Sequence, residues 1–445
     1  MAFTDALIDH ADVRVALVDR RHGVGGHWLD AYPFVRLHQA SAFYGVASTL
    51  LGEGRLQERG PEAGLHERAT VSEICAYYGR VLAGWTGSGR VELLACCEYV
   101  GERQVVSRIS GRRFEVPERC RVVDASYLAP DIPARTPPPF EVADDARVVP
   151  VNDVVAVAEA PSQYVVVGSG KTATDACVWL LAYGVDPGAI CWVRPRDPWM
   201  FNRAVVQPDP AVFLGMVADT MEVAAAAASL QDLFFGLEAA GIMLRIDRSV
   251  APTMAKTPTL ATWELDQLRT IEHVVRMAHV RRVEPGRITL EQGSVAVARD
   301  ALVVHCAAAG LKYPPAVPIW APSAITLQPI RSGFPCFGAA LAGYVEATRN
   351  DDAEKNRLCP PTPLSDTLAD WAHMSVMGAR AAASFGSQPD ITSWADTVAL
   401  NPARIPPQLS GTGALDGVLS RLQAHAPAGL ARMAELSAQT ATLRR

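Results

Sequence analysis

Residues 164–203 read YVVVGSGKTATDACVWLLAYGVDPGAICWVRPRDPWMFNR, and this stretch sets the fold class. Tyr164-Val165-Val166-Val167 is a short β-branched run, suited to a strand buried on both faces. Gly168-Ser169-Gly170 follows, a turn whose missing Cβ atoms allow a sharp bend and close approach of backbone to a ligand. From Lys171 the period becomes helical, with Ala173, Cys177, Leu180 and Leu181 on one face and Gly184 as the stop. Ala189–Val193 is a second strand, ending on Arg194-Pro195-Arg196. Strand, glycine turn, helix, strand is the first half of a dinucleotide-binding unit, with the helix N-terminus turned to a pyrophosphate.

An acid after the second strand would hold a ribose 2′-OH; Arg194 and Arg196 stand there instead, and a guanidinium suits a 2′-phosphate. NADP is therefore expected over NAD. Gly170-Lys171-Thr172 imitates a P-loop, but the glycine required five positions earlier is Val165, which rejects an ATPase.

The chain has 445 residues, 49% hydrophobic, with a formal net charge of −6, enough for two or three domains. Mild acidity and the lack of a basic, aromatic-interleaved run give no support for nucleic acid as a partner. Asp5 and Asp9 interrupt any signal peptide, and no apolar run is long enough for a bilayer, so no membrane partner and a cytoplasmic location are expected. Nine cysteines include no C-x-x-C pair, and the histidines form no ligand cluster, so neither dithiol chemistry nor a metal is expected.

Nearer the N-terminus, residues 2–10 read as a helix and Val13–Val18 as a strand of a covered sheet ending on Asp19. Arg20-Arg21-His22-Gly23-Val24-Gly25-Gly26-His27-Trp28 is a glycine-rich loop capped by an aromatic. With Asp19, Gly25-Gly26-x-Trp28, Tyr32-Pro33 and Gly168-x-Gly170-x-x-Ala173-x-Asp175 in that order, the chain resembles the flavin-containing monooxygenase-like flavoproteins over most of residues 1–400. The resemblance implies an α/β fold of two Rossmann-like three-layer dinucleotide-binding domains, the NADP domain inserted in the FAD domain, with a helical C-terminal appendage. It divides the chain into 1–158 (FAD, first part), 159–303 (NADP), 304–400 (FAD, second part) and 401–445 (appendage). It assigns Asp19, Gly25, Gly26 and Trp28 to FAD, with Arg20 and Gln39 beside them. Gly168, Ser169, Gly170, Lys171, Thr172, Ala173, Asp175, Arg194 and Arg196 make the NADPH site.

Such flavoproteins begin with a strand and GxGxxG turn just before the helix that here starts the chain. The expectation is that a start lies upstream, or that the chain is a remnant that has lost FAD. Val91–Ala95, Gln104–Ile109, Arg113–Val116 and Cys120–Val123 suit a small antiparallel meander, and Val122–Ser126 and Cys306–Gly310 resemble closure motifs of the two folds. Residues 211–241 and 260–276 read as helical, and Gly338–Ala340 as a helix N-terminus aimed at the flavin pyrimidine edge. His38 and Gln39 fall in a loop that passes near the flavin in relatives.

The expected function is an FAD- and NADPH-dependent oxidoreductase, a monooxygenase acting on a small molecule through a peroxyflavin, with no catalytic side chain named. A flavin-dependent dehydrogenase or reductase, and a non-catalytic NADP-binding remnant, are the alternatives. A homo-oligomer is compatible with the sequence.

Overall fold

The structure, a computed structural model, describes residues 1–308 and 313–442, apart from the side chains of 440–442. Ala309 and Gly310 of the second closure motif, and the terminal Arg444-Arg445, lie outside the described residues.

The first segment runs α1 (Ala2–His10), β1 (Val15–Asp19), α2 (Val71–Gly87), β2 (Val91–Ala95), β3 (Cys97–Tyr99), β4 (Gln104–Ser107), β5 (Arg113–Glu115) and β6 (Val123–Asp124). Next come β7 (Glu141–Val142), β8 (Arg147–Pro150), β9 (Tyr164–Val167), α3 (Lys171–Ala182), β10 (Ile190–Val193) and β11 (Pro198–Asn202). Then follow α4 (Pro210–Ala226), α5 (Leu230–Ala239), β12 (Met243–Arg245), β13 (Met254–Leu260), α6 (Thr262–Leu268) and β14 (Val274–Val275). β15 (Val280–Glu284), β16 (Arg287–Leu290), β17 (Gly293–Ala296), β18 (Leu302–His305) and β19 (Ile325–Thr326) precede the helices α7 (Pro335–Thr348), α8 (Asp352–Leu358), α9 (Leu368–Gly386), α10 (Pro389–Thr397) and α11 (Asp416–Thr442).

The chain is an α/β protein, and its largest sheet is parallel with order β14-β10-β9-β18-β8. β9 sits at the centre, Val166 opposite Trp192 on one side and Val304 on the other. Alternation along it serves two cores. Val166 joins Ala173, Cys177 and Leu180 of α3, whereas Val165 and Val167 join Val283 and Ile288 of the sheet β17-β16-β15-β7 on the opposite face. Three layers result, and a strand with both faces covered is apolar at every position.

The first segment is built differently. β1 pairs in parallel with β2, and β6 in parallel with β19, as two separate two-stranded pieces among the described residues. Val91–Ala95 therefore leaves the expected meander, which is β3-β4-β5 alone. β1 is also not a covered strand, since every second residue is exposed and Val18 keeps 37% of its surface. Apolar packing here is carried by α1 on α7, where Phe3 and Ala6 meet Leu341 and Val345 in one core, and by α2, where Ile74, Tyr77 and Val81 meet Trp28, Leu37 and Val46 in another.

Two helical expectations are corrected. Residues 211–241 form two helices, because the Ser229 hydroxyl accepts from the Asp232 amide at 3.1 Å and starts α5 anew. The run 260–276 is helical only to Leu268. Val274 and Val275 are instead recruited as the outer edge of the parallel sheet, where the Trp192 amide donates to the His273 carbonyl at 2.9 Å.

α7 can approach α1 only because position 343 lacks a side chain: a Cβ there would stand 2.3 Å from the Phe3 carbonyl oxygen. Gly343→Val is expected to cost about 1–3 kcal/mol or more through overpacking. Gly84→Ala, on the exposed face of α2 with open space around it, is expected to raise stability by about 0.4–1 kcal/mol. Urea unfolding midpoints of both variants check the pair.

Candidate cofactor and substrate site

Gly168 ends β9 with φ +142°, a conformation that L side chains rarely adopt. Its amide donates to the Val193 carbonyl at 3.0 Å, and its carbonyl accepts from Trp192 Nε1 at 2.8 Å. A Cβ at this position would stand 3.2 Å from Cys306 Cβ, so the turn lies in the crevice between the C-terminal ends of β9 and β18. The chain passes from β9 through α3 to β10 on one side, and β18 joins on the other only after β14, which makes this a switch point where open α/β sheets take ligands. After Ser169, Gly170 is the N-cap of α3 and offers no side chain to its first N–H groups.

The other predicted residues of this half divide. Ala173 is buried core, and Thr172 lies within bonding reach of the Tyr32 hydroxyl. Lys171 Nζ folds back to Asp175 at 2.5 Å and to Glu264 at 3.4 Å, and Asp175 also accepts from the Tyr32 hydroxyl at 2.7 Å. Arg194 follows β10 but is 1% exposed, stacked over Trp192 and paired with Asp197 at 3.2 Å, with Nε and Nη1 unpartnered. Arg196 remains at the surface, donating to Asp366 at 2.7 Å. Arg276, unnoticed in the sequence, follows β14 as Arg194 follows β10, and donates to Asp197 and Asp247 at 2.7 Å each.

In the first segment Asp19 ends β1 and accepts from the Arg21 amide at 2.9 Å, while Arg20 is exposed. Gly25 and Gly26 take φ of +129° and +57°. Trp28 is buried and donates to the Tyr44 hydroxyl at 2.6 Å; Gln39 donates to the Gly333 carbonyl at 3.0 Å, just before α7. That helix begins at Pro335 without a side-chain cap.

Between these two sets runs a buried chain of charges that sequence reading missed. Arg68 Nη2 donates to Glu62 at 2.6 Å, Glu62 also accepts from Arg203 Nη1, and Arg203 Nη2 donates to Glu264 at 2.7 Å. Glu264 then reaches Lys171. Burial alone would raise the Glu264 carboxyl, but Lys171, Arg203 and Arg68 outweigh it and hold it at about 2. Burial, helped by the same cations, pushes His38 down to about 3, so its imidazole is neutral at pH 7. The His38 carbonyl accepts from Arg203 Nε at 3.0 Å and from the Thr259 hydroxyl.

Thr259 also borders a cavity of about 330 Å³, walled by α4, α9, the loop 331–334 and Gln39. Its lining is mostly apolar, including Phe201, Phe213, Met216 and Trp371. Glycine turn, charge chain and cavity are thus contiguous.

No protein-family model matches the chain. It is 41% identical over 405 residues to uncharacterized protein Rv2000 of Mycobacterium tuberculosis (strain ATCC 25618 / H37Rv), covering 90% of this chain and 75% of that one. The same figures hold for Mb2023 of Mycobacterium bovis. The chain belongs to the Rv2000 family. Among solved structures, this Rv2000-family chain is similar to Tmm from Pelagibacter sp. strain HTCC7211, at 9% identity over 87% of this chain and 82% of that one, with a TM-score of 0.45. It is also similar to the NADP+-bound cyclohexanone monooxygenase from Rhodococcus sp. Phi1, at 12% identity over 93% and 97%, with a TM-score of 0.44. Likenesses that low do not carry over an activity.

In this Rv2000-family protein, Glu264→Gln would leave Arg203 and Lys171 short of a buried counter-charge, at an expected cost of about 3–5 kcal/mol. Because its folded-state pKa is depressed, Glu264 contributes stability that is complete above about pH 4.5 and lost as pH falls toward 2. Denaturant midpoints across that range are expected to fall less steeply in Glu264→Gln than in wild type.

Proposed function

We propose that the chain is an FAD- and NADPH-dependent oxidoreductase that acts as a monooxygenase on a small organic molecule. The observation that carries this reading is the Gly168–Gly170 turn, open and uncapped at the switch point of a parallel sheet, joined by the Arg203 chain to an apolar cavity.

NADPH fits this turn: a side chain at 168 would fill the cradle, and the free N–H groups opening α3 suit a pyrophosphate. Arg196, the more exposed of the predicted pair, would meet the 2′-phosphate at the rim of the sheet. Asp19 would take the FAD ribose, the Gly25–Gly26 turn and Trp28 would lie along that cofactor, and the uncapped start of α7 would face its ring. Bound together, the two cofactors supply hydride transfer and activation of dioxygen. The chain's own part is positioning and dryness. Glu62 and Glu264 neutralise Arg203, which has no solvent exposure, His38 stays uncharged, and the mostly apolar cavity would shield the hydrocarbon part of a bound substrate from water.

The split first sheet favours a second reading, an NADP-binding protein without flavin, because β1-β2 and β6-β19 are not joined by a central strand among the described residues. A reductase that uses no oxygen shares all these residues and differs only in whether labelled dioxygen enters a product.

Purified protein is expected to be yellow, to release FAD on denaturation, and to oxidise NADPH only with oxygen present. A folded, colourless protein that binds NADPH would leave the second reading in place. Arg196→Gln is expected to weaken NADPH binding about 10-fold, equivalent to ~1.4 kcal/mol, while NADH binding is unchanged. Fluorescence titration of both nucleotides measures this; equal loss for both would remove Arg196 from the phosphate site.

A further inference from the structure

Among the described residues, Arg331 is the one charged residue on the cavity wall. Among the described residues it makes no ion pair and no side-chain hydrogen bond, and no carboxylate lines the cavity beside it. Every other buried guanidinium in this region has an acid: Arg203 has Glu62 and Glu264, Arg194 has Asp197, and Arg68 has Glu62. Burial brings Arg331 down to about 10, which leaves it cationic at neutral pH. Its nitrogens are not among the buried polar atoms that lack a partner.

The backbone carrying this residue is held on several sides. Ile330 is fully buried, Ser332 Oγ donates to the Met374 carbonyl of α9 at 3.2 Å, and Gln39 holds the Gly333 carbonyl. Gly378 of α9 has no room for a side chain, because a Cβ there would stand 2.3 Å from Ser332 Oγ. A cation held in this way, against an apolar wall and without a protein counter-ion, is a site for an external anion.

We propose that the cavity takes a small apolar carboxylic acid, its hydrocarbon body among Phe213, Met216 and Trp371 and its carboxylate on Arg331. A volume of about 330 Å³ suits such a molecule, and Met216, Met221 and Met374 let the wall adapt to its shape. The inference rests on the oxidoreductase reading only in naming this acid as the substrate; the binding site stands on the cavity itself.

The probes are 4-phenylbutyrate and its uncharged amide, titrated against full-length protein by calorimetry. The acid is expected to bind about 10- to 100-fold more tightly than the amide. Arg331→Gln is expected to erase that preference and Arg331→Lys to keep most of it, with NADPH binding and thermal midpoint near wild type in both. Equal affinity for acid and amide, absence of binding by either, or a preference that survives in Arg331→Gln would overturn the proposal. So would displacement of the acid by inorganic phosphate or NADP+, which would place a cofactor's anion on Arg331. Binding needs no turnover, so the two ideas fail separately. Acid-selective binding without NADPH oxidation would sink the oxidoreductase reading and leave the site, whereas NADPH oxidation stimulated equally by acid and amide would sink the site alone.

Discussion

Arg203 has no solvent exposure, and it keeps its charge in that position because Glu62 and Glu264 meet it from two sides. One acid comes from the loop before α2 and the other from α6, about two hundred residues apart in sequence. Three charges removed from water are held by their mutual geometry, and such a cluster tolerates little displacement before a desolvated ion is left alone. It ties the first segment to the parallel-sheet unit through a contact that is costly to break. The same cluster reaches Lys171 through Glu264 and the His38 carbonyl through Arg203, so the start of α3 and the loop that holds Gln39 share one support.

That support also separates two environments. On the Lys171 side Lys171, Arg203 and Arg68 are paired with acids, and on the Phe213 and Trp371 side the lining is mostly apolar. Thr259 stands at the boundary, bonded to the His38 carbonyl and bordering the cavity. A neutral His38 belongs with this arrangement, since burial disfavours its charge and Lys171, Arg203 and Arg68 would repel a further cation.

How far these features were legible in the sequence depended on whether their signal was local. Tyr164–Val167 and Gly168–Gly170 could be read because a doubly covered strand is apolar at every position and a tight turn needs glycine. Val91–Ala95 could be recognised as a strand but not assigned to its partner, because alternation does not distinguish a parallel from an antiparallel neighbour. Val274–Val275 was lost inside a helical pattern, since only the open edge of β10 gives two residues a reason to extend. The Glu62–Arg203–Glu264 cluster had no local mark at all. An acid or an arginine in sequence looks the same whether solvated or buried, and here the partners meet only after folding. Arg194 shows the reverse, being correctly placed after β10 yet turned inward onto Trp192 and Asp197 by the same fold.

The two parallel pairs of the first segment show how a dinucleotide-type architecture can be supported by helices as well as by its sheet. β1 carries little buried apolar surface, with Val18 open to solvent, so its register with β2 cannot be what stabilises this part of the molecule. The burial lies instead in α1 against α7, in Phe337 and Tyr344 against Trp394 of α10, and in a separate core where Trp28, Leu37 and Val46 meet Ile74 and Tyr77 of α2. In the flavoprotein reading proposed above, α7 is also the helix whose start would face the ring, so the element packed on α1 would orient that cofactor too. Position 343 has to remain without a side chain for that packing to exist, which links a contact remote from any ligand to the placement of the α7 N-terminus.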